Sequence, residues 1–311
     1  MVYSKFKGLI AATYTPLHED GGLNLDVVPQ LTEHLIDSGV AGLYVCGSTG
    51  EGVSLSSDER RSVAEAYVEV ASGRLPVVVQ VGHNSIAESR LLASHAAQIG
   101  AAAISANAPS YFKITDVRTL IDCMSEIAVA APTLPFYYYH IPMLTGAAVD
   151  MVAFLKQAGT AIPNLAGIKY TDSRIDEYQA CLAFEDGRYD ILWGLDEMLL
   201  GALAVGAQAA IGSTYNIAAP HYLKIMQAFE DGDIKSARQM QLLAINMIRT
   251  IVQYPLHPAI KSILGMRGLA CGPCRQPQRP ISETQVNNLR RELESLDFFN
   301  WSTNETAALK R

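Results

Sequence analysis

The sequence predicts an α/β protein: a closed (β/α)8 TIM barrel of eight parallel strands, with additional helices at its C-terminal end. Three observations carry that expectation. Eight short runs are almost continuously apolar, as strands buried on both faces of a parallel sheet are. Stretches with helical apolar spacing separate them. The two kinds alternate with a repeat of roughly thirty residues, the length of one βα unit.

The expected strands lie at 9–13, 42–46, 77–81, 102–106, 135–139, 165–169, 190–193 and 208–211. The fourth is the least strand-like, because Ala and Ser are weak strand formers. Residues 25–38 place Val28, Leu31, Leu35 and Ile36 on one side of a helix. Ser57, Asp58 and Glu59 open the next, with Asp58 as its expected cap. Residues 85–99 begin with Ser85 and Glu88 at capping-box spacing. Helices over 115–130, 147–157, 175–184 and 197–205 fill the later gaps. An open doubly wound sheet is the rival architecture. It would carry a glycine-rich turn after the first strand, where this chain has Thr13-Tyr14-Thr15-Pro16.

Past the eighth strand, 221–229 reads as its helix, 234–253 as a long helix, and 258–264 and 283–296 as two more. The interval 268–280 is rich in Gly, Pro, Gln and Arg and reads as a loop. The expected division is therefore a barrel over 1–230 and a helical extension over 231–311 packed on it, since no linker precedes the extension. The polar end, 302–311, is expected to fray.

Composition narrows the function classes. With 49% hydrophobic and 18% charged residues, the 311-residue chain is too apolar for a disordered protein. A net charge of -7, from 24 Lys and Arg against 31 Asp and Glu, argues against non-specific nucleic-acid binding. It leaves room for a local basic pocket that takes an acidic small molecule. No apolar run is long enough for a secretory leader or a membrane span. Five scattered cysteines, an odd number, fit a reduced protein of the cytoplasm.

In such a barrel the chemistry belongs where strands end and loops begin. Those positions hold Thr13, the run Gly47-Ser48-Thr49-Gly50-Glu51-Gly52, Tyr139, Lys169 with Thr171 and Asp172, Gly194 with Asp196, and Gly212-Ser213-Thr214. Lys169 closes an apolar run, where a buried ammonium is costly unless paired or neutral. A neutral amine there can attack a carbonyl and form a Schiff base. The plainer reading is a lysine turned outward to solvent. Tyr139 ends the preceding strand and could relay a proton; equally, Tyr137, Tyr138 and Tyr139 are ordinary strand-forming aromatics. Alternation sends Tyr138 to the face opposite the other two. The glycines, hydroxyls and amides of 47–52 can cradle an anion, carboxylate or phosphate, but no lysine follows as a phosphate loop requires. Asp196 and Glu197 can accept hydrogen bonds from several hydroxyls or cap the following helix. Cys271-Gly272-Pro273-Cys274 has redox-dithiol spacing, yet it sits in a late proline-rich loop and no second cysteine pair completes a zinc site.

Gly47-Ser48-Thr49-Gly50-Glu51, Tyr139-His140-Ile141-Pro142, Lys169 within Gly167-Ile168-Lys169-Tyr170-Thr171, and Gly212-Ser213-Thr214-Tyr215-Asn216 resemble the N-acetylneuraminate lyase and dihydrodipicolinate synthase superfamily. The resemblance runs from about Phe6 to Leu296. The run Phe136-Tyr137-Tyr138-Tyr139-His140-Ile141-Pro142 looks most like the animal-type lyases of that superfamily. What the resemblance implies is a class I aldolase that needs no metal and no cofactor. Lys169 then matches the Schiff-base lysine and Tyr139 the proton carrier. Ser48 and Thr49 match the pair that holds the pyruvate carboxylate, with Gly212 at the same end. Thr171, Gly194, Asp196, Glu197 and Ser213 match residues that meet the sugar portion. Tyr111 matches a tyrosine that approaches the neighbouring subunit's site in many relatives, although animal-type members often carry another residue there. Family members are usually tetramers of tight dimers, so a homo-oligomer is implied, with sialic acid, pyruvate and N-acetylmannosamine as its small-molecule partners and neither nucleic acid nor membrane.

Dihydrodipicolinate synthases carry an arginine shortly after the Tyr-x-x-Pro element, where this chain has Leu144. An apolar side chain cannot hold the amino-acid end of their substrate, so the resemblance favours cleavage of N-acetylneuraminate. Another 2-keto acid aldolase or dehydratase of the superfamily, and a barrel that binds such acids without catalysis, are the alternatives.

Overall fold

A computed structural model describes residues 3–303. Eight strands, β1 (Gly8–Ala12), β2 (Gly42–Val45), β3 (Val77–Gln80), β4 (Ala103–Asn107), β5 (Phe136–His140), β6 (Leu165–Tyr170), β7 (Asp190–Trp193) and β8 (Ala209–Gly212), form a closed barrel in sequence order. Every neighbouring pair is parallel, and β1 beside β8 closes the ring. The expected strands are thus all present, with ends that differ by a residue or two.

Helices α1 (Val28–Asp37), α2 (Ser57–Ala71), α3 (Ile86–Gln98), α4 (Val117–Ala128), a short α5 (Pro142–Thr145), α6 (Met151–Ala161), α7 (Ile175–Ala183), α8 (Leu199–Ala204) and α9 (Tyr215–Glu230) connect the strands. Their starts are set by caps, and here several sequence expectations change. Ser56 caps α2 in a full capping box with Glu59, so Asp58 lies inside the first turn. Ser85 caps α3 by accepting the Glu88 N–H, but the Glu88 carboxylate instead accepts from Ser57. The span expected at 147–157 begins at Met151 under the Asp150 cap, because Gly146, at φ 74°, first ends α5. The helix expected at 197–205 is a turn over Asp196–Met198 followed by α8. The one expected at 221–229 starts at Tyr215 and runs through Pro220, with Ala218 at φ -148° breaking it.

Beyond the barrel come α10 (Ile234–Ile251), α11 (Leu256–Met266), α12 (Glu283–Ser295) and α13 (Phe298–Trp301). Pro258, expected to start α11, sits within its first turn, where a missing N–H costs nothing. α10 packs along α9, and α12 packs against α10 and α11. Residues 268–280 hold no helix or strand. Of the end expected to fray, Ser302 is buried, whereas 304–311 lie outside the described residues. Among the described residues no helix is long and apolar enough to cross a membrane.

Strand alternation creates two cores. Ile10, Ala12, Tyr44, Val78, Ala103, Tyr137, Tyr139, Leu192, Ala209 and Ile211 fill the barrel interior. Leu9, Leu43, Val79, Ile104, Tyr138, Ile168 and Trp193 face the helices. Tyr138 is therefore opposite Tyr137 and Tyr139, as expected.

One irregularity decides the position of the site. β5 and β6 pair Phe136 with Leu165 and then Tyr137 with Gly167, leaving Ala166 as an extra residue. Such a bulge changes the phase of a strand. Leu165 packs outward and Ala166 inward, yet Ile168 and Tyr170 pack outward again. Lys169 consequently points into the barrel. Gly167 makes this possible, since a Cβ there would stand 1.7 Å from the Asp190 carbonyl oxygen.

Candidate active site

Lys169 is buried, with 5% of its surface exposed. It pairs with Tyr139 across β5 and with Leu192 across β7. Its Nζ lies 3.7 Å from the centroid of the Tyr139 ring and 4.2 Å from that of Tyr44. Two π faces thus flank the amine. The outward, solvated lysine is ruled out by this geometry. The Tyr44 hydroxyl donates to Ser105 Oγ at 3.0 Å, which locks that ring. Burial raises the Tyr44 phenol well above its ordinary range, so it stays protonated.

The loop after β2 brings hydroxyls to the same place. Ser48 Oγ and the Tyr139 hydroxyl are 3.4 Å apart. Thr49 Oγ1 and Ser213 Oγ are 2.6 Å apart, so the β2 loop meets the end of β8. Asn216 Nδ2 donates to the Ala12 carbonyl at 2.7 Å and to the Ser213 carbonyl at 2.8 Å, fixing the turn that follows β8.

On the other side, β7 and β8 leave no room for larger residues. A Cβ on Gly194 would lie 2.0 Å from Thr171 Oγ1, and one on Gly212 would lie 1.9 Å from Asp196 Oδ1. Asp196 is buried, and its Oδ2 accepts from the Thr214 N–H at 2.9 Å and from Thr214 Oγ1 at 2.6 Å. Burial pushes its carboxyl up to about 6, against the opposing pull of the Thr214 hydrogen bonds. Glu197 is exposed at the rim. Neither acid makes a side-chain cap for α8.

Lys169, Tyr139, Ser48, Thr49, Thr171, Gly194, Asp196, Glu197, Gly212 and Ser213 all line one cavity of about 350 Å³. The structure does not bring Tyr111 there; that residue is 79% exposed, packed edge-on against Phe112. Thr13 is buried beside the Tyr44 carbonyl, and Asp172 stands 3.8 Å from His140 rather than in the cavity. Burial holds the His140 imidazole down at about 4.

Two features escape a reading of strand ends. Tyr44 sits one residue inside its strand and looks like core. The cavity wall is completed by Ile248, Val252, Leu256 and His257 from α10, α11 and their junction, together with Met143 and Leu144. The spacing of Ile248 and Val252, one helical turn apart, is the only sequence mark of that wall. Cys271 and Cys274 are buried free thiols, each pushed up to about 12 by desolvation. Among the described residues no group of three or more His, Cys, Asp or Glu side chains is arranged to hold a metal ion.

A buried amine between two tyrosines, beside hydroxyls that can take a carboxylate, can form an imine with a 2-keto acid and move protons next to it. Comparison with known proteins points the same way. Residues 5–296 match the model of the dihydrodipicolinate synthetase family. The N-acetylneuraminate lyase of Xenopus tropicalis is 39% identical over 298 residues, which covers 94% of this chain and 97% of its own. Among solved structures, Proteus mirabilis N-acetylneuraminate lyase superposes with a TM-score of 0.92 at 39% identity, covering 95% of this chain and 100% of that one. The N-acetylneuraminate lyase (sialic acid aldolase) from Aliivibrio salmonicida gives 0.93 at 39% identity, covering 95% and 98%.

Proposed function

The chain belongs to the dihydrodipicolinate synthetase family, and from that premise we propose that it is a class I aldolase cleaving N-acetylneuraminate reversibly to N-acetylmannosamine and pyruvate. The observation that carries the reading is the buried Lys169 amine, 3.7 Å from the Tyr139 ring in a cavity lined by Ser48 and Thr49.

The open-chain sugar acid lies with its carboxylate against Ser48, Thr49 and nearby amides. The unprotonated Lys169 amine attacks the C2 ketone, and the oxygen departs as water with the Tyr139 hydroxyl proton, leaving a protonated imine and a Tyr139 phenolate. That cation takes up the electron pair as the C3–C4 bond breaks. The Tyr139 oxygen accepts the C4 hydroxyl proton, and N-acetylmannosamine departs. Tyr139 then returns the proton to C3 of the enamine, and hydrolysis frees pyruvate and Lys169. The Tyr44 and Tyr139 rings stabilise the imine cation from two sides. Thr171, Gly194, Asp196, Glu197 and Ser213 meet the hydroxylated tail, which suits a site rich in acceptors.

Leu144 lines the cavity without a cation for an amino-acid carboxylate. This supports the sugar-acid substrate over the aldehyde that dihydrodipicolinate synthases use. The test is kcat/KM on one preparation for three reactions: cleavage of N-acetylneuraminate, cleavage of 2-keto-3-deoxygluconate, and condensation of pyruvate with aspartate semialdehyde. Preference for the first is expected, because unpaired hydroxyl partners discriminate strongly. A clear preference for either other reaction overturns the substrate assignment.

We further propose a homotetramer in the cytoplasm, with Tyr111 reaching toward a neighbouring copy. Support comes from exposed Val53, Tyr111, Phe112, Met143 and Leu144, all in segments that follow the C-terminal strand ends, and from the five free cysteines. Sedimentation equilibrium distinguishes tetramer from dimer and monomer. The division into a barrel over 1–230 and an extension beyond it is likewise proposed, the extension supplying part of the cavity wall.

A further inference from the structure

Two non-glycine residues, Cys46 at φ 59° and Glu51 at φ 56°, hold left-handed backbone on either side of Ser48 and Thr49. Such conformations persist only where the surroundings impose them. For Glu51 the surroundings come from the C-terminal extension. One of its carboxylate oxygens lies 2.8 Å from Lys261 Nζ on α11, and both side chains are buried. The other accepts the backbone N–H of Arg275 at 2.7 Å. Lys261 also donates to the Pro273 carbonyl at 2.8 Å. The Arg275 guanidinium in turn pairs with Glu59 on α2 and donates to the Ser54 carbonyl at 3.2 Å.

The segment from Lys261 to Arg275 therefore grips the β2 loop at three points. Inside the loop, the Glu51 N–H donates to the Ser48 carbonyl at 3.1 Å and the Gly52 N–H to the Gly47 carbonyl at 3.0 Å. A shift at Glu51 is passed directly to Ser48. The loop has no slack to absorb it, since a Cβ on Gly52 would stand 1.9 Å from the Cys46 carbonyl oxygen.

A buried ion pair is a weak source of stability, because desolvation offsets the attraction; fixing one register is its better-attested use. We propose that Glu51, through its ion pair with Lys261, is a positioning residue that sets Ser48 and Thr49 to receive the substrate carboxylate. The proposal rests on the role given to Ser48 and Thr49 above and extends it to residues outside the cavity. Lys169 and Tyr139 stand on other strands, so the clamp acts on carboxylate recognition and leaves the amine where it is.

The double variant Glu51→Gln/Lys261→Met removes the pair without leaving a buried charge unpaired, so it is the main probe; Glu51→Gln alone accompanies it. Borohydride trapping is measured against carbonyl concentration with two probes, pyruvate and hydroxyacetone, a ketone that has no carboxylate. Circular-dichroism melts run alongside. The half-saturating pyruvate concentration is expected to rise roughly tenfold to a hundredfold, the affinity equivalent of hydrogen bonds to a charged group. Trapping by hydroxyacetone is expected to match the parent, and KM for the full reaction to rise more than kcat falls. Equal losses with both probes mean a generally loosened barrel and overturn the proposal. Unchanged half-saturation by pyruvate, with the parent trapped normally, overturns it alone. A parent that forms no adduct with pyruvate overturns the aldolase reading and this inference together.

Discussion

Ala166 turns Lys169 into the barrel: as the extra residue opposite Phe136 and Tyr137, it reverses the alternation of β6 three positions before the amine. Were the same residues to run on in regular alternation, with no bulge, Lys169 would share the outward face of Leu165 and stand among the helices. The amine that carries the proposed chemistry is thus placed by backbone register. Bulges beside active sites re-aim side chains in this way.

Gly167 sits in that bulge with the Asp190 carbonyl against it. Gly167→Ala is expected to force β6 from β7 and to cost about 1–3 kcal/mol or more, as overpacking does. Urea unfolding of the variant and the parent measures this. A variant of parental stability, with full pyruvate trapping, contradicts the account of the bulge.

Tyr139→Phe keeps the ring over Lys169 and removes the proposed proton carrier. Its kcat for N-acetylneuraminate is expected to fall by about 10²–10⁴, the usual contribution of a proton-transfer group. The melting temperature is expected to hold, because the hydroxyl lies beside Ser48 in the cavity and not in the core. Turnover near the parental rate would show that another group carries the proton.

The strands were legible because each is a continuous apolar run, and the candidate functional loops followed from their ends. Helix starts were less so. Ser56 rather than Asp58 caps α2, since capping depends on which residue leaves the helical conformation, and both have suitable side chains. The inward turn of Lys169 could not be read, because a bulge leaves no periodic mark beyond a permissive Gly167. Tyr44 looked like core for the sound reason that its ring is core on one face and site on the other. The wall from Ile248 to His257 depends on how the late helices fold back, which is tertiary packing rather than local pattern.

Asp196 gives its proposed contact with the sugar acid a pH dependence that can be measured. Its carboxyl is pushed from an ordinary 3.8 up to about 6 by burial, so the folded state keeps the proton to higher pH than the unfolded chain does. Ionising it lowers stability as pH rises between those values, and it gains an acceptor for substrate hydroxyls. KM for N-acetylneuraminate is therefore expected to fall as pH rises through about 6. In Asp196→Asn that inflection is expected to vanish while pyruvate trapping continues. The same inflection in the Asn variant would assign it elsewhere.

Burial holds the Cys271 and Cys274 thiols near 12, far from the range of a working dithiol. Both are expected to resist a thiol-reactive disulfide reagent at neutral pH in the folded protein and to react promptly once it is unfolded. Rapid labelling of the native protein, followed by a disulfide between the two, would revive a redox role.

The central claim is that Lys169 forms the covalent intermediate, and borohydride reduction in the presence of pyruvate tests it most directly. Intact-mass and peptide mass spectrometry are expected to find one reduced pyruvyl group per chain, on the peptide that contains Lys169, and none in Lys169→Ala. An unmodified parent, treated in parallel with a known class I aldolase that is labelled, or an adduct on a different lysine, would contradict the account.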